Sequence, residues 1–236
     1  MGACFSSEKE VRKYELSFMS ICTEGGEKRH LLDSILEKAT QEGCAEQIFE
    51  AKDDSGDLPI HRASENGNPA CIRWILETWA SKEIELDIDA VDHNGYSPLY
   101  LVCYKGYNGA DGLVGMTPEM MANRLECAKL LIQRNANVNF QTEMLGMTPL
   151  HWTAFQGDAE MTRLLIENGA RTILSNVGNT PVDIAGFCGK EHIVGIFANA
   201  LSDKIKAEMD AEGLANDQSV EAEDAPAEPL DPENPE

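Results

Sequence analysis

Apolar residues recur along this chain at helical spacing, in blocks punctuated by glycine and proline. Val11, Tyr14, Phe18 and Ile21 share one side of a predicted helix, which Ser7-Glu8-Lys9-Glu10 opens as a capping box. A second helix carries Leu31, Leu32, Ile35, Leu36 and Ala39, stops at Gly43 and is followed by Ile48 and Phe49. Four paired blocks come next, each announced by a glycine three residues before a proline: Gly56/Pro59, Gly95/Pro98, Gly146/Pro149 and Gly178/Pro181. Around those prolines stand Leu58-Pro-Ile-His61, Ser97-Pro-Leu-Tyr100, Thr148-Pro-Leu-His151 and Thr180-Pro-Val-Asp183. Each predicts a helix start, because a Thr or Ser cap satisfies an orphan N–H and Pro gives up only a donor with no intrahelical partner. Gly67, Gly106, Gly157 and Gly189 close these short helices. A second apolar helix follows each, at 72–76, 127–132, 161–166 and 193–197. Residues 201–209 extend the last one, and beyond them Ala-, Pro- and Glu-rich sequence cannot bury enough apolar surface to order itself.

The Thr-Pro-Leu-His start, the glycine turn and the closing Leu-Leu-x-x-Gly-Ala resemble the ankyrin-repeat family, most fully over residues 148–170. The resemblance spans about 53–198. It implies an all-α solenoid of helix-turn-helix repeats with β-turn tips. Leu58 stands where the family has Thr, and Tyr100 and Asp183 stand where it has His. Successive turn glycines are 39, 51 and 32 residues apart, against a family period of about 33. The long second step contains an insertion at 107–125 between paired helices. It begins with the glycine-rich stretch 107–115, and Thr117-Pro118-Glu119 then starts a lengthened outer helix. A phosphate loop is not expected there, since no Lys-Ser/Thr pair follows and Asp111 would meet the anion.

The predicted organisation is an N-terminal arm at 1–7, a helical cap at 8–52, about four repeats at 53–200, and a helix end with a disordered acidic tail at 201–236. The cap is needed because an end repeat would otherwise present its stacking face to water.

Charge narrows the partners. The 19 Lys and Arg against 41 Asp and Glu give a net charge of −22, which repels nucleic acid and an anionic lipid surface. Residues 207–236 hold 11 of the acidic residues and no Lys or Arg. The seven cysteines form no C-x-x-C pair, so neither a disulfide framework nor a zinc site is expected. No apolar h-region for a secretory signal and no apolar run of membrane-spanning length is present, and a reducing intracellular setting fits.

Gly2 and Ser6 satisfy the M-G-x-x-x-[ST] pattern for N-myristoylation, and Cys4 is a candidate palmitoylation site. One myristoyl chain binds a membrane with an association constant of only about 10⁴ per molar. Glu8, Glu10 and Glu15 cancel Lys9, Arg12 and Lys13, so a second acyl chain on Cys4 is the available second anchor.

The ankyrin resemblance implies partner binding through turn tips and inner helices. The two residues before each closing glycine, outward-facing in that family, are Glu65-Asn66, Tyr104-Lys105, Phe155-Gln156 and Phe187-Cys188. Tyr104, Phe155 and Phe187 share one register. Tyr96 and Met147 match at the turns, with Met144 and Leu145 beside Met147, and Trp152 one step into its helix. Two readings stand together: an exposed apolar strip for a protein partner, or packing against the next repeat, which suits Trp152 best. His61 and His151 fall at the family's structural histidine, and Thr148 at its cap. No nucleophile is paired with a base, and His30, His93 and His192 have no metal-ligand spacing.

The expectation is a monomeric, non-enzymatic adaptor with no cofactor and no bound metal. Acyl chains on Gly2 and Cys4 hold it at the cytoplasmic face of a plasma, ciliary or flagellar membrane, and a protein partner docks on the repeats. The alternative is a soluble, cytosolic sequestering protein whose acidic tail engages a basic partner.

Overall fold

A computed structural model describes residues 8–23, 28–82, 87–104 and 116–220, and these form helices joined by turns, with no strand among them. Gly2, Cys4, Gly106, the loop at 107–115 and the tail beyond 220 lie outside the described residues. The cap comprises α1 (Glu8–Thr23), α2 (Arg29–Gln41) and the single turn α3 (Gln47–Glu50). Four helix pairs follow: α4 (Pro59–Glu65) with α5 (Pro69–Lys82), α6 (Pro98–Tyr104) with α7 (Pro118–Ile132), α8 (Pro149–Gln156) with α9 (Ala159–Glu167), and α10 (Pro181–Phe187) with α11 (Glu191–Val220).

The stack has two layers. α1, α4, α6, α8 and α10 touch in succession to make the inner layer, while α2, α5, α7 and α9 make the outer one. α1 and α2 thus stand where a preceding repeat's two helices would stand. Phe18 of α1 packs edge-on to Phe49 at 5.5 Å and against Trp74 of α5 at the same distance. The Trp74 indole N–H donates to Asp33 of α2 at 2.7 Å. Ile72, Ile75, Leu99, Leu131, Leu150 and Leu165 are fully buried between the layers. Each such side chain contributes about 1.5–3 kcal/mol relative to exposure.

The punctuation residues act as their chemistry requires. Turn glycines Gly56, Gly95, Gly146 and Gly178 all have positive φ, between 62° and 82°. At Gly146 a Cβ would also sit 2.6 Å from the backbone nitrogen of Asn176 in the next turn, so only glycine fits. Adjacent turns are laced together. Asn176 donates its backbone N–H to Leu145 O (3.0 Å) and its amide to Glu143 O (2.8 Å), and Gln141 bridges Gly146 O and Leu174 O. Thr117 caps α7 by accepting from Met120 N, and that helix runs 15 residues against nine for α9, the predicted lengthening.

Two units are distinguished, residues up to Ile196 and those from Phe197. The second contains the rest of α11, which continues to Val220, well past the predicted 201–209 extension. Residues 208–220 mix Ala, Glu, Asp and Met with few helix breakers, and helix propensity prevails there over the low hydrophobicity that suggested an unordered chain.

Candidate protein-binding surface

The position two residues after each helix-start proline sets how one repeat reaches the next. His151 Nδ1 accepts from Thr148 N (3.0 Å) and from the Thr148 hydroxyl (2.8 Å), which leaves Nε2–H to donate to Asn179 O of the following turn (3.1 Å). His61 repeats the arrangement, accepting from Leu58 N and donating to Ala90 O at 2.8 Å. Leu58 supplies no hydroxyl, so only the backbone half of that cap remains. Burial pushes both imidazoles below the usual histidine range, so they are held neutral in this bridging form. These are the structural roles expected for His61, His151 and Thr148. Asp183 keeps only the local half of the arrangement, with its Oδ2 accepting from Thr180 N (2.8 Å) and the Thr180 hydroxyl (2.6 Å).

Tyr100 departs furthest, and an aromatic cluster is built on it. Its ring is buried, and its hydroxyl accepts from Trp152 Nε1 at 2.6 Å. Burial, the largest influence, pushes this phenol above its ordinary value. Tyr96 stacks on Tyr100 at 4.9 Å, held by a turn in which Asp92 Oδ1 accepts from both Asn94 N and Tyr96 N at 2.8 Å. Tyr104 lies 5.4 Å from Tyr96 and meets Trp152 edge-on at 4.7 Å. Phe155 meets Trp152 edge-on at 5.9 Å, and Phe140 abuts Tyr100 at 6.3 Å. Six rings from two repeats thus form one body. Tyr96, Tyr104, Phe140, Trp152 and Phe155 are all partly exposed.

The backbone beneath the cluster is fixed from the outer layer. Arg124 of α7 is buried and donates through Nε to Val102 O (2.9 Å) and through Nη2 to Val102 O and Cys103 O, carbonyls in the last turn of α6. Burial lowers this guanidinium below its ordinary value. Gln156 also donates to Cys103 O, at 2.7 Å. It is therefore buried, and the outward direction expected for it is corrected: the free carbonyls ending α6 draw its amide inward.

The predicted residues separate into three places. Tyr96, Tyr104, Trp152 and Phe155 meet in the cluster, and Met147 is partly buried in the turn before α8. Met144 is 82% exposed on the same turn, beside the exposed Leu145. Phe187 is 78% exposed and outside the ring network described above, although it shares the register of Tyr104 and Phe155. Ile184 stands in the fourth repeat where Trp152 stands in the third, so no indole bridges to Phe187. Sequence reasoning passed over Leu174 and Val177, exposed on the turn laced to that of Met144 and Leu145. A legible signal existed: the residue before the turn glycine is Ser55 and Asn94 in the first two repeats but Leu145 and Val177 in the last two.

Comparison with known proteins agrees with this geometry. The family pattern described as "Ankyrin repeats (3 copies)" matches residues 119–208, and "Ankyrin repeat" matches 94–143. The chain is 28% identical to the B-cell lymphoma 3 protein homolog of Mus musculus over 57% of its own length and 34% of that protein. It is 28% identical to Ankyrin repeat and SOCS box protein 3 of Bos taurus, over 64% of this chain and 31% of the other. Palmitoyltransferase AKR1 of Lachancea kluyveri is 36% identical over 64 residues, 27% of this chain and only 9% of that protein. The chain thus spans about a third, or much less, of the curated relatives it matches.

Proposed function

On the premise that this chain is an all-α stack carrying ankyrin repeats, we propose that it is a non-enzymatic adaptor that binds a partner protein through its second to fourth repeats. The observation that carries the reading is the partly exposed ring body of Tyr96, Tyr104, Trp152 and Phe155, next to the exposed turn tips of Met144, Leu145, Leu174 and Val177. Rings locked by neighbours lose little freedom on docking, and aromatic anchors with an apolar border are what a protein interface uses. Phe187 adds a separate apolar contact further along the inner layer. The matching segments of multi-part relatives support a binding role for the repeats.

The same proposal places the adaptor at a membrane surface, by myristate on Gly2 and palmitate on Cys4, on the strength of the N-terminal motif. A protein caught on the repeats would then be confined to that surface, with its effective concentration raised. The test has two arms. Tyr104→Ala/Phe155→Ala, with an unchanged circular dichroism spectrum, is expected to lose most of the proximity-labelled partners of the wild type; an unchanged partner set removes the binding surface. Separately, Gly2→Ala is expected to release the C-terminally tagged protein from membranes and Cys4→Ser to weaken its retention. Equal cytosolic distribution of all three proteins removes the anchor and leaves the soluble, tail-dependent sequestering protein as the reading.

A further inference from the structure

A pair of cysteines outside the binding surface is placed for chemistry that the adaptor reading does not use. Cys22 lies in the last turn of α1, and Cys71 in the first turn of α5, where its backbone N–H donates to Asn68 Oδ1. Both are buried, and their sulfurs are 2.8 Å apart across the junction of cap and first repeat. That is within about 0.8 Å of a disulfide bond length. No other two thiols among the described residues are in such contact, although Cys127 of α7 is near enough for Cys71 to influence it.

We propose that Cys22 and Cys71 are a peroxide-oxidised pair, whose reversible disulfide staples the N-terminal cap to the first repeat. Size selects the oxidant. Cys71 lines a cavity of about 40 Å³ together with Ile21, Lys28, Arg29, Leu32 and Arg73, room for a water-sized molecule and not for a tripeptide disulfide. Cys71 is the attacking group, because it is the one of the two cysteines that lines this cavity, so the oxidant meets its sulfur first. Cys71 sulfur gives up its proton and attacks one oxygen of hydrogen peroxide. The O–O bond breaks, a Cys71 sulfenic acid forms, and the departing hydroxide takes up the proton as water. Cys22 sulfur, losing its own proton, then attacks the Cys71 sulfur and expels the hydroxyl as a second water. Two thiols and one peroxide become one disulfide and two waters, and a dithiol reductant reverses the change.

Peptide mapping of the full chain decides it. Trypsin releases Cys22 in peptide 14–28 and Cys71 in peptide 63–73, each with a single cysteine. After treatment with one equivalent of hydrogen peroxide, these two peptides are expected as a linked pair that dithiothreitol separates, with a melting temperature raised on the order of 5–10 °C. Cys22→Ala should abolish the link and increase sulfenic-acid labelling of Cys71 several-fold. The proposal is overturned if other cysteines oxidise while peptides 14–28 and 63–73 stay separate. It is equally overturned if 63–73 is found joined to 125–129, which carries Cys127. The mapping reads the wild-type protein, so a poorly folding variant does not blunt it.

Discussion

Replacing Arg124 by Met keeps the apolar stem of the side chain and removes its charge and its donors, a direct probe of how α6 is held. Two opposing effects are in play. A buried guanidinium carries a desolvation cost of several kcal/mol, and replacing such charges by apolar groups is in some proteins neutral or stabilising. Here the charge meets two carbonyls of a helix C-terminus, where a cation is favoured and intrahelical partners are lacking. In the Met variant Cys103 O keeps Gln156, but Val102 O loses both guanidinium contacts. One buried unsatisfied carbonyl costs about 1–3 kcal/mol, and imperfect refilling of a site whose stem crowds Gly67 adds about 1 kcal/mol. The expected loss is about 2–4 kcal/mol, on the order of 5–15 °C in melting temperature. Calorimetry of wild type, Arg124→Met and Arg124→Lys measures it. Lys should recover only part, since one ammonium cannot fork across both carbonyls. Tryptophan fluorescence should redden at the same time, because the loosened end of α6 carries Tyr104 away from Trp152. A Met variant melting within a degree of wild type, with unchanged emission, would refute the reasoning.

Two further outcomes follow from the turns. Burial, with the nearby carboxylates of Asp53, Asp92 and Glu65, raises Asp57 to about 6 despite Arg62 at 3.3 Å. A carboxyl raised in the fold is stabilising when protonated, so its contribution falls as pH climbs from about 4 to about 6. Asp57→Asn should therefore gain about 1–2 kcal/mol on wild type at pH 7.5 and almost nothing at pH 4, by urea unfolding at both values. Gly146→Ala should cost at least about 2 kcal/mol, because its φ of 62° and the Asn176 backbone both oppose a Cβ; a thermal shift below 2 °C would contradict this.

The repeat framework was legible because it depends on neighbours in sequence: Thr-Pro at 148–149, 180–181 and 117–118, and glycines where φ turns positive. The candidate surface was legible in part. Tyr96, Tyr104, Trp152 and Phe155 could be named from register, but Tyr100, the ring on which they rest, read only as a lapse from His. Its partner Trp152 is 52 residues away, beyond an insertion that hides the register. Gln156 read as an outward residue and Arg124 gave no signal, since polarity alone does not show which carbonyls lack partners. Cys22 and Cys71 are 49 residues apart, and only the docking of cap on repeat brings them together.

The residue two places after each helix-start proline gives this stack a direction. His61 and His151 each donate to the turn that follows, whereas Asp183, a carboxylate, can only accept. Growth of the array is thus closed at one side chain. A fifth repeat spliced behind α11 would meet no donor waiting for its turn, however well its helices matched. Lengthening this protein is a two-part edit, in which Asp183 becomes histidine as the new unit is added.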